Sequence, residues 1–178
     1  MLRSTTPLED LEHFALDGIT YEAFNTSGGL GSLCDTLAGK VQNLNYRTIR
    51  YPGHAAIMRT LLNDLGLRHR RKLLKDILET SIPITMQDVV IVFVTVTGQR
   101  GGRLMQESYA NHIRSAEIGG VTRSAIQITT ASGICTVLDM LAEGKLPNRG
   151  LVLQEEIALP DFLANRFGRN YQQPHHVA

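Results

Sequence analysis

The sequence predicts an α+β fold, a mixed β-sheet with helices packed mainly on one face. Three observations lead there. Val89-Val90-Ile91-Val92-Phe93-Val94-Thr95-Val96 is apolar at nearly every position and rich in β-branched residues, the pattern of a strand buried on both faces at the centre of a sheet. Several stretches repeat their apolar residues at helical spacing. Finally, the segments alternate so that both hairpin and crossover connections are needed, about six strands and five helices in mixed order.

In chain order, Ile19-Thr20-Tyr21-Glu22-Ala23-Phe24 suits a strand, ended abruptly by Asn25-Thr26-Ser27-Gly28-Gly29-Leu30-Gly31. Leu30, Leu33, Cys34 and Leu37 then mark a helix that Gly39 can stop. A second strand over 45–51 runs into Pro52-Gly53-His54, and Ile57, Met58, Leu61, Leu62 and Leu65 make an amphipathic helix closed by Gly66. Residues 68–79 set Leu73, Leu74, Ile77 and Leu78 against Arg70, Arg71, Lys72, Lys75 and Asp76, a surface helix ending before Pro83.

After the 89–96 strand, Gly98-Gln99-Arg100-Gly101-Gly102 turns the chain, and residues 103–113 return as an antiparallel partner. Ser124-Ala125-Ile126-Gln127-Ile128 is a further strand candidate. Thr129 or Thr130 can cap the helix that follows, with Ile134, Val137, Leu138 and Leu141 facing inward and Gly144 at its end. Beyond the Pro147-Asn148-Arg149-Gly150 turn, residues 151–157 read as a last strand, and Pro160 opens a short helix to Phe167. The expected organisation is an N-terminal arm over 1–17, one domain with a single core over 18–168, and a loose polar tail over 169–178.

The 178 residues carry 18 Lys+Arg against 17 Asp+Glu, a net charge of +1, which supplies no basic field for nucleic acid or an anionic membrane. No signal-like leader and no apolar run of roughly 18 residues is apparent, so the expectation is a soluble, cytoplasmic protein. Cys34 and Cys135 stand far apart with no CxxC and no nearby histidine pair. They read as structural thiols, and neither a disulfide framework nor a metal site is expected.

Two places could carry chemistry. The Ser27 to Gly31 loop, between strand and helix, can aim backbone N–H groups at a small anion such as a carboxylate, or can serve only as a sharp turn. It is not a dinucleotide fingerprint, because Cys34 stands where the GxGxxG spacing from Gly29 requires glycine, and no GxxxxGK[ST] loop exists. In Tyr46-Arg47-Thr48-Ile49-Arg50-Tyr51-Pro52-Gly53-His54, strand alternation puts Arg50 near the strand's end, beside a turn that presents His54 at a helix start. Arg50 could pair with a carboxylate and His54 could hold or move a proton, or they could be an ordinary ion-pair residue and a capping residue. His13, His69, His112, His175 and His176 are weaker signals. The hydroxyls of Thr95, Thr97, Thr129, Thr130 and Ser132 lack a recognisable base, and Arg68-His69-Arg70-Arg71-Lys72 reads as a solvated helix face.

The motifs Tyr21-Glu22-Ala23-Phe24-Asn25-Thr26-Ser27-Gly28-Gly29-Leu30-Gly31 and Thr48-Ile49-Arg50-Tyr51-Pro52-Gly53-His54 resemble the C-terminal domain of the saccharopine dehydrogenase and lysine dehydrogenase family. Thr129-Thr130-Ala131-Ser132-Gly133 and Asp161-Phe162-Leu163-Ala164-Asn165-Arg166-Phe167-Gly168 extend the likeness over nearly the whole chain. The resemblance implies NAD- or NADP-dependent oxidation at an amine-bearing carbon of a lysine- or saccharopine-like amino acid, through an imine. It implies that the cofactor is held by a Rossmann domain, while this domain supplies the substrate pocket and a homodimer contact. No nucleotide-binding half precedes Tyr21, so the expectation is a truncated C-terminal half that binds no cofactor alone and is inactive alone. On this reading Gly28, Gly29 and Arg50 hold the substrate carboxylate, Asn25, Thr26 and Ser27 are polar neighbours, and His54 is the catalytic candidate. Saccharopine dehydrogenases tend to carry an arginine in the loop where this chain has glycines, which favours lysine or another smaller substrate. The alternative is a non-catalytic homodimerisation or protein-interaction module, with the 103–113 edge pairing across a two-fold axis.

Overall fold

In a computed structural model of the chain, residues 5–26 and 28–172 are described. The fold is α+β, as expected, but among the described residues the strands form three separate antiparallel sheets of three, two and two strands rather than one mixed sheet. The chain packs as two compact units, Met1–Pro83 and Ile84–Ala178, a boundary that the expectation of one core over 18–168 does not contain.

The N-terminal unit is built on a sheet of β1 (Glu12–Leu16), β2 (Ile19–Phe24) and β3 (Thr48–Arg50), with β2 in the middle. The first strand falls within the expected arm. Asp17 and Gly18 join it to β2 with positive φ at both positions, 50° and 78°, the backbone of a tight two-residue hairpin turn. Tyr21, Glu22, Ala23 and Phe24 are all buried. Tyr21 lies opposite Phe14 in the β1–β2 register and stacks on Tyr51 at 5.6 Å. Helix α1 (Leu33–Thr36) is one turn only. Helix α2 (His54–Arg59) continues through a π-helical turn, Thr60–Asp64, to Gly66. A short 3-10 turn, Leu67–His69, leads into α3 (Arg71–Ser81), whose Leu74, Ile77 and Leu78 are half-buried while its basic residues are exposed.

The C-terminal unit begins with a hairpin of β4 (Val89–Arg100) and β5 (Arg103–Arg114), in register from Val89↔Arg114 to Arg100↔Arg103. Strand β4 is therefore at an edge and not at the centre of a sheet, and from Phe93 outward it is exposed. A small hairpin of β6 (Ala116–Ile118) and β7 (Val121–Arg123) precedes α4 (Ala125–Ala142).

Residues 124–128 open this helix and are not a strand. Ser124 accepts from the Gln127 N–H while the Gln127 side chain accepts from the Ser124 N–H, a capping box that makes Ser124, and not Thr129 or Thr130, the cap. The inward face also differs. Ala125, Ile128, Thr129, Ser132, Thr136 and Met140 are buried, whereas Ile126, Ile134, Leu138 and Leu141 are exposed. Thr129 and Thr136 can be buried because each hydroxyl donates to the carbonyl four residues back. Taken whole, α4 is long and apolar enough to cross a membrane by length and composition, a test that core helices of soluble proteins also pass.

No strand forms over 151–157, where the chain makes a 3-10 turn, Gln154–Glu156. Helix α5 (Leu159–Ala164) starts as expected with Pro160 in its first turn. Residues 169–172, expected to be loose, are instead fastened. The Tyr171 hydroxyl donates to the Thr129 carbonyl at 2.7 Å, the Asn111 side chain donates to the Tyr171 carbonyl at 2.7 Å, and Asn170 donates to the Ser132 hydroxyl at 2.8 Å. Gly168 makes this return possible, since a Cβ there would lie 1.8 Å from the Phe162 carbonyl oxygen.

Candidate functional site

The glycine loop after β2 borders a cleft of about 360 Å³ whose walls include Asp10, Asn25, Thr26, Gly28, Gly29 and Arg47. Asn25 is the fixed point. It is buried, its N–H donates to the Glu9 carbonyl at 3.0 Å, its carbonyl accepts from the Leu8 N–H at 2.7 Å, and its side-chain amide donates to Asp10 Oδ2 at 2.7 Å. These bonds hold Leu8 and Asp10 in left-handed backbone conformations, φ 70° and 54°, each costing about 1–3 kcal/mol for a residue with a side chain.

Arg47 lies one residue before Thr48, the β3 partner of Phe24, and so comes alongside Asn25. Its Nη1 pairs with Glu12, its side chain is only 23% exposed, and its Nε is buried with no hydrogen-bond partner. A half-buried guanidinium paired with Glu12, a carboxylate at Asp10 and a glycine loop thus meet at one cleft. That set suits a small zwitterion, with its carboxylate toward Arg47 and the loop and its ammonium toward Asp10.

A second cluster lies where β2 meets α2. Glu22 is 2% exposed and accepts from the Gly53 N–H at 2.9 Å and the Ala55 N–H at 2.5 Å. Burial alone would raise its pKa, but the two backbone donors together with His13 and His54 outweigh that and hold it below 4.5. His54 stacks on Phe24 at 5.9 Å. Its pKa is held below 6.5, first by desolvation and then by the charge of Arg50, with Glu22 opposing both. Glu22 is therefore an anion and His54 neutral at pH 7. Arg50 is exposed and donates to the Ile49 carbonyl at 2.7 Å.

The structure thus brings Asn25, Thr26, Gly28 and Gly29 together at the cleft, with Arg47 as the cation. Arg50 and His54 belong to the Glu22 cluster and do not line the cleft. Ser27, His175 and His176 lie outside the described residues. Asp10, Glu22 and Arg47 are the additions to the sequence reading. Glu22 was legible as a carboxylate inside a strand of apolar neighbours, whereas Arg47 and Asp10 meet at the cleft only through strand pairing and the turn at Leu8 and Asp10.

A dinucleotide does not fit at this loop. The helix behind it has four residues, too short to offer a pyrophosphate an N-terminal seat, and Cys34 occupies the third glycine position. Among the described residues no three His, Cys, Asp or Glu side chains gather to hold a metal, and Cys34 and Cys135 are free thiols. No protein-family model matches the chain, and no solved structure matches it either.

Proposed function

We propose that the N-terminal unit binds a small amino acid in this cleft, and that the chain is the substrate-binding and dimerisation half of an NAD(P)-dependent oxidoreductase acting on the CH–NH group of a lysine-like amino acid. The observation that carries the binding role is the convergence of Arg47, Asp10 and the Gly28–Gly29 loop on one cleft. The reaction class rests on the resemblance of the 21–31 and 48–54 motifs to the saccharopine and lysine dehydrogenase family. The nicotinamide would come from a separate nucleotide-binding half. This unit's task is to fix the carboxylate and amine so that the reacting C–H is presented in one orientation.

Titration of the isotopically labelled chain with lysine, followed by amide NMR, tests the reading. Lysine is expected to shift the amides of residues 25–31, and Arg47→Met to weaken binding by about tenfold or more. Arg47→Lys is expected to fall between, keeping the charge but losing the fork, and Arg50→Ala to bind as the unaltered chain does. If lysine, glutamate and saccharopine all leave those amides unmoved, the amino-acid reading is wrong.

A further inference from the structure

Along the N-terminal half of α4 the C-terminal unit carries a groove of about 700 Å³, within the roughly 300–1,000 Å³ that small-molecule sites take. The β6–β7 hairpin and the chain at Phe167 and Asn170 also bound it. Ile118, Ile126 and Ile134 line it at 44%, 58% and 62% exposure, with Cys135 and Phe167 half-buried beside them. Apolar side chains gathered in one concave surface, unlike single exposed ones, mark a place where something binds. The polar side chains are largely spent within the fold. Gln127 accepts from the Ser124 N–H, and Asn170 donates to the Ser132 hydroxyl.

Arg123 is the exception. Among the described residues it is the one charged side chain lining the groove, and its guanidinium has no ion pair or hydrogen bond with any of them. The hairpin register explains why. Ala116↔Arg123 and Ile118↔Val121 put these four side chains on one face, and the hairpin's carboxylate, Glu117, on the other with Thr122. The carboxylates bonded to or carried by α4 are committed elsewhere. Asp88 accepts from the Ala125 and Ile126 N–H groups, and Asp139 holds Arg166, the cation that lies over the Phe167 ring at 4.7 Å. Arg123 is one residue before the α4 cap, and from Ile126 to Cys135 the apolar lining follows the helix for about 13 Å.

The geometry points to a binding site for a medium-chain fatty acid, with its carboxylate on Arg123 and its acyl chain laid over Ile126, Ile134 and Cys135. Both parts of the ligand are needed. An uncharged apolar occupant would take the guanidinium out of water unpaired, and a small anion without a tail would leave the isoleucines in water. Because the groove belongs to the C-terminal unit, this inference stands or falls apart from amino-acid binding at the cleft.

Amide NMR titrations of the full chain with octanoate, octanol, octylammonium and acetate decide it. Octanoate is expected to shift the amides of residues 118–135 and to bind about tenfold more tightly than octanol, with octylammonium and acetate weaker still. Arg123→Gln, at an exposed position, should bring octanoate down to the level of octanol. Ala131→Phe, which fills the groove from an exposed position of α4, should abolish binding of both while circular dichroism stays unchanged. Octanoate should also slow alkylation of Cys135 by iodoacetamide and leave that of Cys34, at the N-terminal cleft, as it was. The inference is overturned if octanol binds as tightly as octanoate, if acetate does, or if Arg123→Gln leaves octanoate affinity unchanged. It is overturned as well if octanoate moves no amide in 118–135, or if phosphatidylcholine vesicles protect Cys135 and octanoate does not, which would make the apolar face a membrane-binding one.

Discussion

Each unit fastens a helix N-terminus to a strand through one carboxylate, and the two anchors differ in their surroundings. In the N-terminal unit Glu22 accepts from Gly53 and Ala55 at the start of α2, and the cap residue, Gly53, has no side chain to help. In the C-terminal unit Asp88, just before β4, accepts from Ala125 and Ile126 at 2.7 and 2.9 Å, while the Ser124–Gln127 box already serves the same turn. Glu22 is buried and Asp88 only half-buried. The bonds are alike, so the difference shows what context adds. A buried sole anchor has no substitute, whereas an anchor near water and beside a capping box has two.

Replacing each carboxylate by its amide measures that difference. Glu22→Gln keeps the shape but leaves one of the two N–H donors facing an NH₂ in a buried site, and is expected to cost about 3 kcal/mol in chemical denaturation. Asp88→Asn makes the same exchange where water can enter and the Ser124 cap remains, and is expected to cost about 1 kcal/mol. Equal losses would show that burial and redundancy do not set the worth of these anchors.

The same contrast explains which parts were legible in the sequence. The anchors' helices were visible as apolar periodicity, and β2, the β4–β5 hairpin and α5 fell where pattern and turn residues put them. What escaped was decided by local signals that compete with periodicity. Asp17-Gly18 between Leu16 and Ile19 is a two-residue hairpin signal, and it outweighs the reading of 1–17 as an arm. Ser124 followed by Gln127 is a capping box, and it outweighs the β-like look of Ile126 and Ile128.

The inward face of α4 was misread for another reason. Thr129, Ser132 and Thr136 satisfy their hydroxyls within the helix or on Asn170, so polarity did not keep them outside, and the larger Ile134 and Leu138 were left on the surface. At the cleft, the loop residues Asn25, Thr26, Gly28 and Gly29 were legible from spacing. Arg47 and Asp10 were not, because their meeting depends on β1–β2–β3 pairing and on the left-handed turn at Leu8 and Asp10.

The smallest expected effect separates the two anchors by pH. His54, at the head of α2, is held below its ordinary 6.5, so the folded state disfavours its proton. Stability is full above pH 6.5 and is lost as the pH falls below that value toward the folded pKa. Glu22, held below 4.5, gives a second loss in the same direction as the pH falls through its own folded pKa. The groups acting on the pair are Arg50 and Glu22 on His54, and His13 and His54 on Glu22. His54→Gln removes the first loss and leaves the second. Between pH 5 and 6.5 the stability of the variant should therefore be flatter than that of the unaltered chain by a few tenths of a kcal/mol or more, with the two profiles running parallel above pH 7. Profiles of the unaltered chain and His54→Gln that run parallel from pH 7 down to 5 would remove the histidine from the account and leave the acid sensitivity of this helix to Glu22 alone.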